Sequence, residues 1–101
     1  MLSAEAKKRI DKKVLDTFQK IEPLVDPVRV LLTERETPGT GLELKVYASK
    51  EDKDLTLHVH GGTVRFELIN RIEGIHENPQ SSYFYGTVAV EELLKFLDLF
   101  W

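Results

Sequence analysis

The stretch "LTLHVHGGTVRFEL", Leu55 to Leu68, reads as two six-residue strands joined by Gly61-Gly62, and its pairing decides how the rest of the chain is arranged. A two-residue glycine loop readily takes the positive φ angles of a primed hairpin turn. That turn fixes the register: His60 opposite Thr63, Val59 opposite Val64, His58 opposite Arg65, Leu57 opposite Phe66, Thr56 opposite Glu67 and Leu55 opposite Leu68. Because side chains alternate along a strand, the hairpin separates into two faces. Leu55, Leu57, Val59, Val64, Phe66 and Leu68 belong to a core; Thr56, His58, His60, Thr63, Arg65 and Glu67 point the other way.

The neighbouring segments extend both faces. In "VRVLLTERETPGTGLELKVYAS" the residues Val28, Val30 and Leu32 alternate, as do Leu42, Leu44 and Val46, with turn chemistry in "TPGTG" between them. Two antiparallel strands are the favoured reading. The rival is a helix over residues 27 to 36, since Asp26-Pro27 also makes a good N-cap and first helical position. "SKEDKD", residues 49 to 54, is a charged surface turn, and "SSYFYGTV" reads as a later strand with Tyr83 and Tyr85 on the polar face and Phe84 and Val88 turned inward. "INRIEGIHENPQ", which contains His76, prolongs the preceding strand through a kink or forms a loop.

Helical periodicity appears at both ends. Ile10, Val14, Phe18 and Ile21 fall on one arc with Leu15 at its edge, Ser3 is a reasonable N-cap, and the residue before Pro23 is pushed out of the α region. A helix ending by Glu22 and a linker from Pro23 to Pro27 follow. In "VEELLKFLDLFW" the residues Leu93, Leu94, Phe96, Leu97, Phe100 and Trp101 share a broad arc, with Leu99 outside it, and Glu91 and Glu92 suit the N-terminus. A sheet with one apolar side must cover that side, and these helices are the available cover. The expected fold is α+β, one domain over residues 1–101: an N-terminal helix, an antiparallel meander of four to five strands and a C-terminal helix, both helices on one face of the sheet.

Composition narrows the function. Apolar residues make up 42% of the 101 and charged residues 31%, the balance of a globular chain rather than a disordered one. Without cysteine there is no disulfide, thiolate nucleophile or Cys-ligated zinc. No apolar run suits a signal peptide or a membrane span, so the expected address is cytoplasmic. The net charge of -3 conceals +3 over residues 1 to 20, where six lysines and arginines meet three acids, which leaves -6 for the remainder. The simplest reading of those lysines is the solvated face of an amphipathic helix.

The open sheet face is the working surface, and its candidate binding residues are Tyr47, His58, His60, Arg65, Tyr83 and Tyr85. Two histidines at i and i+2 on a strand stand about 6.6 Å apart, and His76 or Glu67 would supply a third ligand for a His-ligated, metal-dependent hydrolase. Arg65 beside His58 opposes a cation there. A second alternative is single-stranded nucleic-acid binding, with the tyrosines as a stacking platform; a pI near 5.6 and a basic helix on the far side of the sheet weigh against it. The favoured function is a small non-enzymatic protein-protein interaction module, such as an adaptor, inhibitor or regulatory subunit, that needs no cofactor, since Tyr, Arg and His serve interfaces well. Leu99 and Trp101 are the candidates for self-association into a homo-oligomer.

Overall fold

A computed structural model of the chain describes residues 4–35, 39, 41–50, 52–71 and 81–101. The order of elements is helix α1 (Ala4–Arg9), helix α2 (Lys12–Val25), strands β1 (Arg29–Glu34), β2 (Leu42–Lys50), β3 (Lys53–Val59), β4 (Thr63–Arg71) and β5 (Ser81–Ala89), then helix α3 (Val90–Phe100). The strands form one open antiparallel sheet in sequence order, β1-β2-β3-β4-β5. This is the expected α+β meander, with five strands. Residues 29–34 are strand rather than helix, as the β-branched Val28 and Val30 favour. His76 lies outside the described residues, as do Ser3 and the side chain of Tyr83.

The hairpin register is the one dictated by the glycine turn. His58 pairs with Arg65, Leu57 with Phe66, Thr56 with Glu67 and Leu55 with Leu68, and the His60 amide donates to the Thr63 carbonyl across the turn at 3.1 Å. Of the two glycines only Gly61 has a positive φ, +98°, as the first position of a type II′ turn requires. From this register one face of the sheet becomes uniformly apolar. Leu44, Val46, Leu55, Leu57, Val59, Val64 and Leu68 are all at most 1% exposed, packed with Val14, Phe18, Ile21 and Val25 of α2 and Leu93 and Leu97 of α3. Helix α2 lies over β2 and β3, and α3 over β4 and β5.

Both helices hold the same turn. Thr17 Oγ1 stands 2.7 Å from the Gly61 carbonyl and 2.8 Å from the Lys13 carbonyl, so its single proton is donated to one or shared between them. The Val90 amide, at the start of α3, donates to the Gly62 carbonyl at 3.2 Å. At its other end α3 is received by the β2–β3 hairpin: Lys50 Nζ donates to the Trp101 carbonyl and Lys53 Nζ to the Phe100 carbonyl. Cations suit the negative end of a helix. Lys50 Nζ also lies 4.7 Å from the centre of the Trp101 ring.

The N-terminal helical region differs from the single helix that ends at Glu22. It breaks at Asp11, whose extended backbone (φ -61°, ψ 145°) closes α1 and opens α2; aspartate favours such a boundary over a helix interior. Helix α2 then runs through Pro23 to Val25. Pro23 forgoes one hydrogen bond in the last turn, but the extra residues bring Val25 to 3% exposure in the core. Asp26, in the left-handed region at φ 48°, ends the helix with its amide on the Glu22 carbonyl, and Pro27 follows as is common after such a cap.

Since L side chains are strained at φ +98°, Gly61→Ala should lower unfolding stability by about 1–2 kcal/mol. At Gly62 a Cβ would meet only the flexible end of Lys13, at 3.1 Å, and Gly62→Ala should cost clearly less. Thr17→Val should cost about 1 kcal/mol for the lost hydroxyl contact to the turn. Urea unfolding of the three variants checks the ranking.

Candidate functional site

On the side of the sheet opposite the helices, pairing sets the polar residues in rows. One row crosses the strands as Arg29, Tyr47, Thr56, Glu67 and Tyr85, and the next as Leu31, Lys45, His58, Arg65 and Thr87. Tyr47 and Tyr85 are thus three strand spacings apart, about 14 Å, with Thr56 and Glu67 between them. Tyr85 is 72% exposed. Tyr83 takes the register position opposite Ile69.

His58 and His60 do share this face, with ring centres 6.4 Å apart and planes within 14° of parallel. What joins them is Glu43 on β2. Its Oε1 lies 3.3 Å from His58 Nδ1 and its Oε2 3.3 Å from His60 Nε2, and Arg65 Nη2 approaches His58 Nδ1, also at 3.3 Å. Glu43 is 1% exposed and His58 7%, although α2 and α3 pack on the other side of the sheet. A carboxylate so far from water is costly unless charges or N–H donors face it, and here each oxygen has an imidazole. The N–H of His58 Nδ1 donates to Glu43; a nitrogen carrying that proton cannot also accept from Arg65. The guanidinium therefore acts on the pair mainly as a nearby positive charge.

His60 is held neutral. Burial lowers its pKa below the ordinary 6.5; Glu43 opposes that shift, while Arg35, His58 and Arg65 add to it. The geometry supplies a further reason. With Nε2–H donating to Glu43, Nδ1 is left buried and has no hydrogen-bond partner among the described residues. Protonating Nδ1 would bury an unsatisfied N–H donor. His60 also borders a groove between α2, the glycine turn and the start of α3, where Lys13 and Lys20 alternate with Asp11, Asp16 and Glu91. Such mixed charge selects neither sign of ligand.

Among the described residues no group of three or more His, Asp or Glu is placed to hold a metal ion. One nitrogen of each imidazole is turned to Glu43, and the Arg65 guanidinium beside His58 opposes a cation there. Of the self-association candidates, Leu99 is 76% exposed, whereas Trp101 is half-buried against the core. Alternation along strand 42–48 puts Glu43 on the polar face with Lys45 and Tyr47, but the sequence reading did not count it among the binding residues. The signal for it was its place directly across the β2–β3 ladder from the histidine strand, one residue from Leu44, which pairs with Val59.

Because the folded pKa of His60 lies below 6.5, the unfolded chain takes up that proton first as pH falls. The contribution of His60 to stability is complete above pH 6.5 and diminishes below it until the folded His60 itself titrates. The difference in melting temperature between pH 7.5 and pH 5.5 should therefore be smaller in His60→Gln than in wild type. Glu43→Ala, which removes the acceptor of both imidazoles, should lower stability at neutral pH by about 1–3 kcal/mol.

Comparison of the chain with known families, curated proteins and solved structures found no match, so the reading of the site rests on its geometry.

Proposed function

We propose that the chain is a protein-recognition module whose docking surface is the helix-free face of the sheet. The observation that carries this reading is Tyr85, an aromatic side chain 72% exposed on that face, one row from Arg65. Tyrosine and arginine are the residue types most often found at the energetic centres of interfaces. Tyr47 and Lys45, half-buried in the same two rows, extend the surface. In this reading His58 and Glu43 do not touch the partner. They lie beneath, and the negative charge of Glu43 favours the Arg65 guanidinium beside His58.

The other readings have less support. A hydrolytic or acid-base role needs His58 to reach a substrate, and it is 7% exposed with its Nδ1 engaged. A nucleic-acid platform needs the tyrosines and the cationic helix on one surface, but α2 packs on the opposite side of the sheet from Tyr47 and Tyr85.

The test is capture of partners from a lysate by tagged wild-type protein and by Arg65→Ala, Tyr85→Ala and the helix-side control Lys20→Ala, with and without nuclease. The expected outcome is a nuclease-resistant protein partner whose capture falls about tenfold or more in the first two variants and is unchanged in the control. Equal capture by all four proteins would reject this face, and loss of every partner with nuclease would favour nucleic acid.

A further inference from the structure

The outermost strand carries a second surface. One edge of β5 pairs with β4 over nine consecutive residue pairs without a bulge, from Arg71–Ser81 to Thr63–Ala89, and among the described residues no strand pairs with its other edge. Nine residues present about 30 Å of backbone. Natural edge strands are guarded by charge, proline, bulges or shortness, because a bare edge is a template for another chain. The opposite edge strand, β1, follows that rule: it has six residues and carries Arg29 and Glu34. The sequence of β5, SSYFYGTVA, contains neither a charge nor a proline, in a chain with 31% charged residues.

An apolar ledge continues this edge on the helix side. Phe84 is 40% exposed and Phe100 45%, with ring centres 6.0 Å apart, and Phe96 lies 6.2 Å from Phe84 and 4.8 Å from Phe100. Leu99, beside Phe100 in sequence, is 76% exposed.

We infer that β5 pairs antiparallel with β5 of a second copy of this chain, joining two five-stranded sheets into one continuous ten-stranded sheet. The choice of occupant follows from charge and symmetry. About a twofold axis each residue near the centre faces the same strand of its partner, so any charge there would meet its own sign; a strand neutral along its whole length meets that condition in every register. The same axis keeps both helix layers on one side of the sheet, so the two Phe84–Phe100 ledges lie near each other across it. Area is in range as well. Phe84 and Phe100 together present roughly 200 Å² of aromatic surface, about a quarter of the ~800 Å² each partner contributes to a standard interface, and the strand edge adds to it along its length.

The test is sedimentation of the full chain across a concentration series, with hydrogen exchange of the backbone amides measured at the two ends of that series. Wild type should sediment at twice 11.6 kDa at high concentration, and the β5 amides should gain protection there while those of β1 do not. Phe84→Lys, a charge at an already exposed position, should sediment at 11.6 kDa with an unchanged circular dichroism spectrum. A wild type that stays monomeric to several hundred micromolar would overturn the inference. So would a dimer whose β5 amides exchange equally at both concentrations, a reading that does not depend on the variant folding.

Discussion

Two carbonyl groups at the tip of one hairpin connect the layers of this protein. Gly61 and Gly62 present them, Thr17 of α2 approaches the first, and the amide of Val90, which starts α3, binds the second. The turn therefore sets three things at once: the register of β3 on β4, the seat of α2 and the point where α3 begins. A slip of one residue in that register would turn Leu55, Leu57 and Val59 to the uncovered side and bring His58 into the core. Burial of seven sheet residues at or below 1% exposure makes such a slip prohibitive.

The uncovered side has its own fastening. With α2 and α3 on the far side, the contacts of Glu43 with His58 and His60 join β2 to β3 and its turn by polar contacts instead of apolar packing, and the Arg65 guanidinium of β4 adds its charge beside His58. A buried charge in such a network must be met by partners. The carboxylate is met by an imidazole at each oxygen, and the nearby guanidinium offsets its charge. A neutral His60 completes the balance, since burial disfavours its charged form and a third cation beside Arg35 and Arg65 would meet repulsion.

The parts that were legible in the sequence are those governed by period and turn chemistry. Alternation in 55–68 around two glycines gave the register residue by residue, and alternation at Val30 and Leu32 gave β1, although Val28, read with them, lies before the strand and is 68% exposed. The parts that were not legible are those where tertiary contact outweighs a local rule. Pro23 argues for a helix end, yet burial of Val25 carries α2 past it. Glu43 looks like any surface acid on an alternating strand, and only the convergence of two histidines and an arginine from β3 and β4 explains its burial. Phe84 alternates into the apolar set as read, but at the sheet's margin an inward direction does not mean full cover. The face that holds Tyr47, His58, His60, Arg65 and Tyr85 was readable as a set; that His58 is buried within it against Glu43 was not.

The far end of α3 has a consequence for how this protein is observed in solution. Trp101 is the chain's one tryptophan, and it rests under Lys50 where the β2–β3 hairpin receives the last helical turn. Its fluorescence thus reports the seating of that turn on the hairpin. Raised salt weakens lysine contacts of this exposed kind more than it weakens apolar burial. Emission that changes before helical ellipticity does would register release of this one junction, and the two optical signals are best treated as probes of different parts of the molecule.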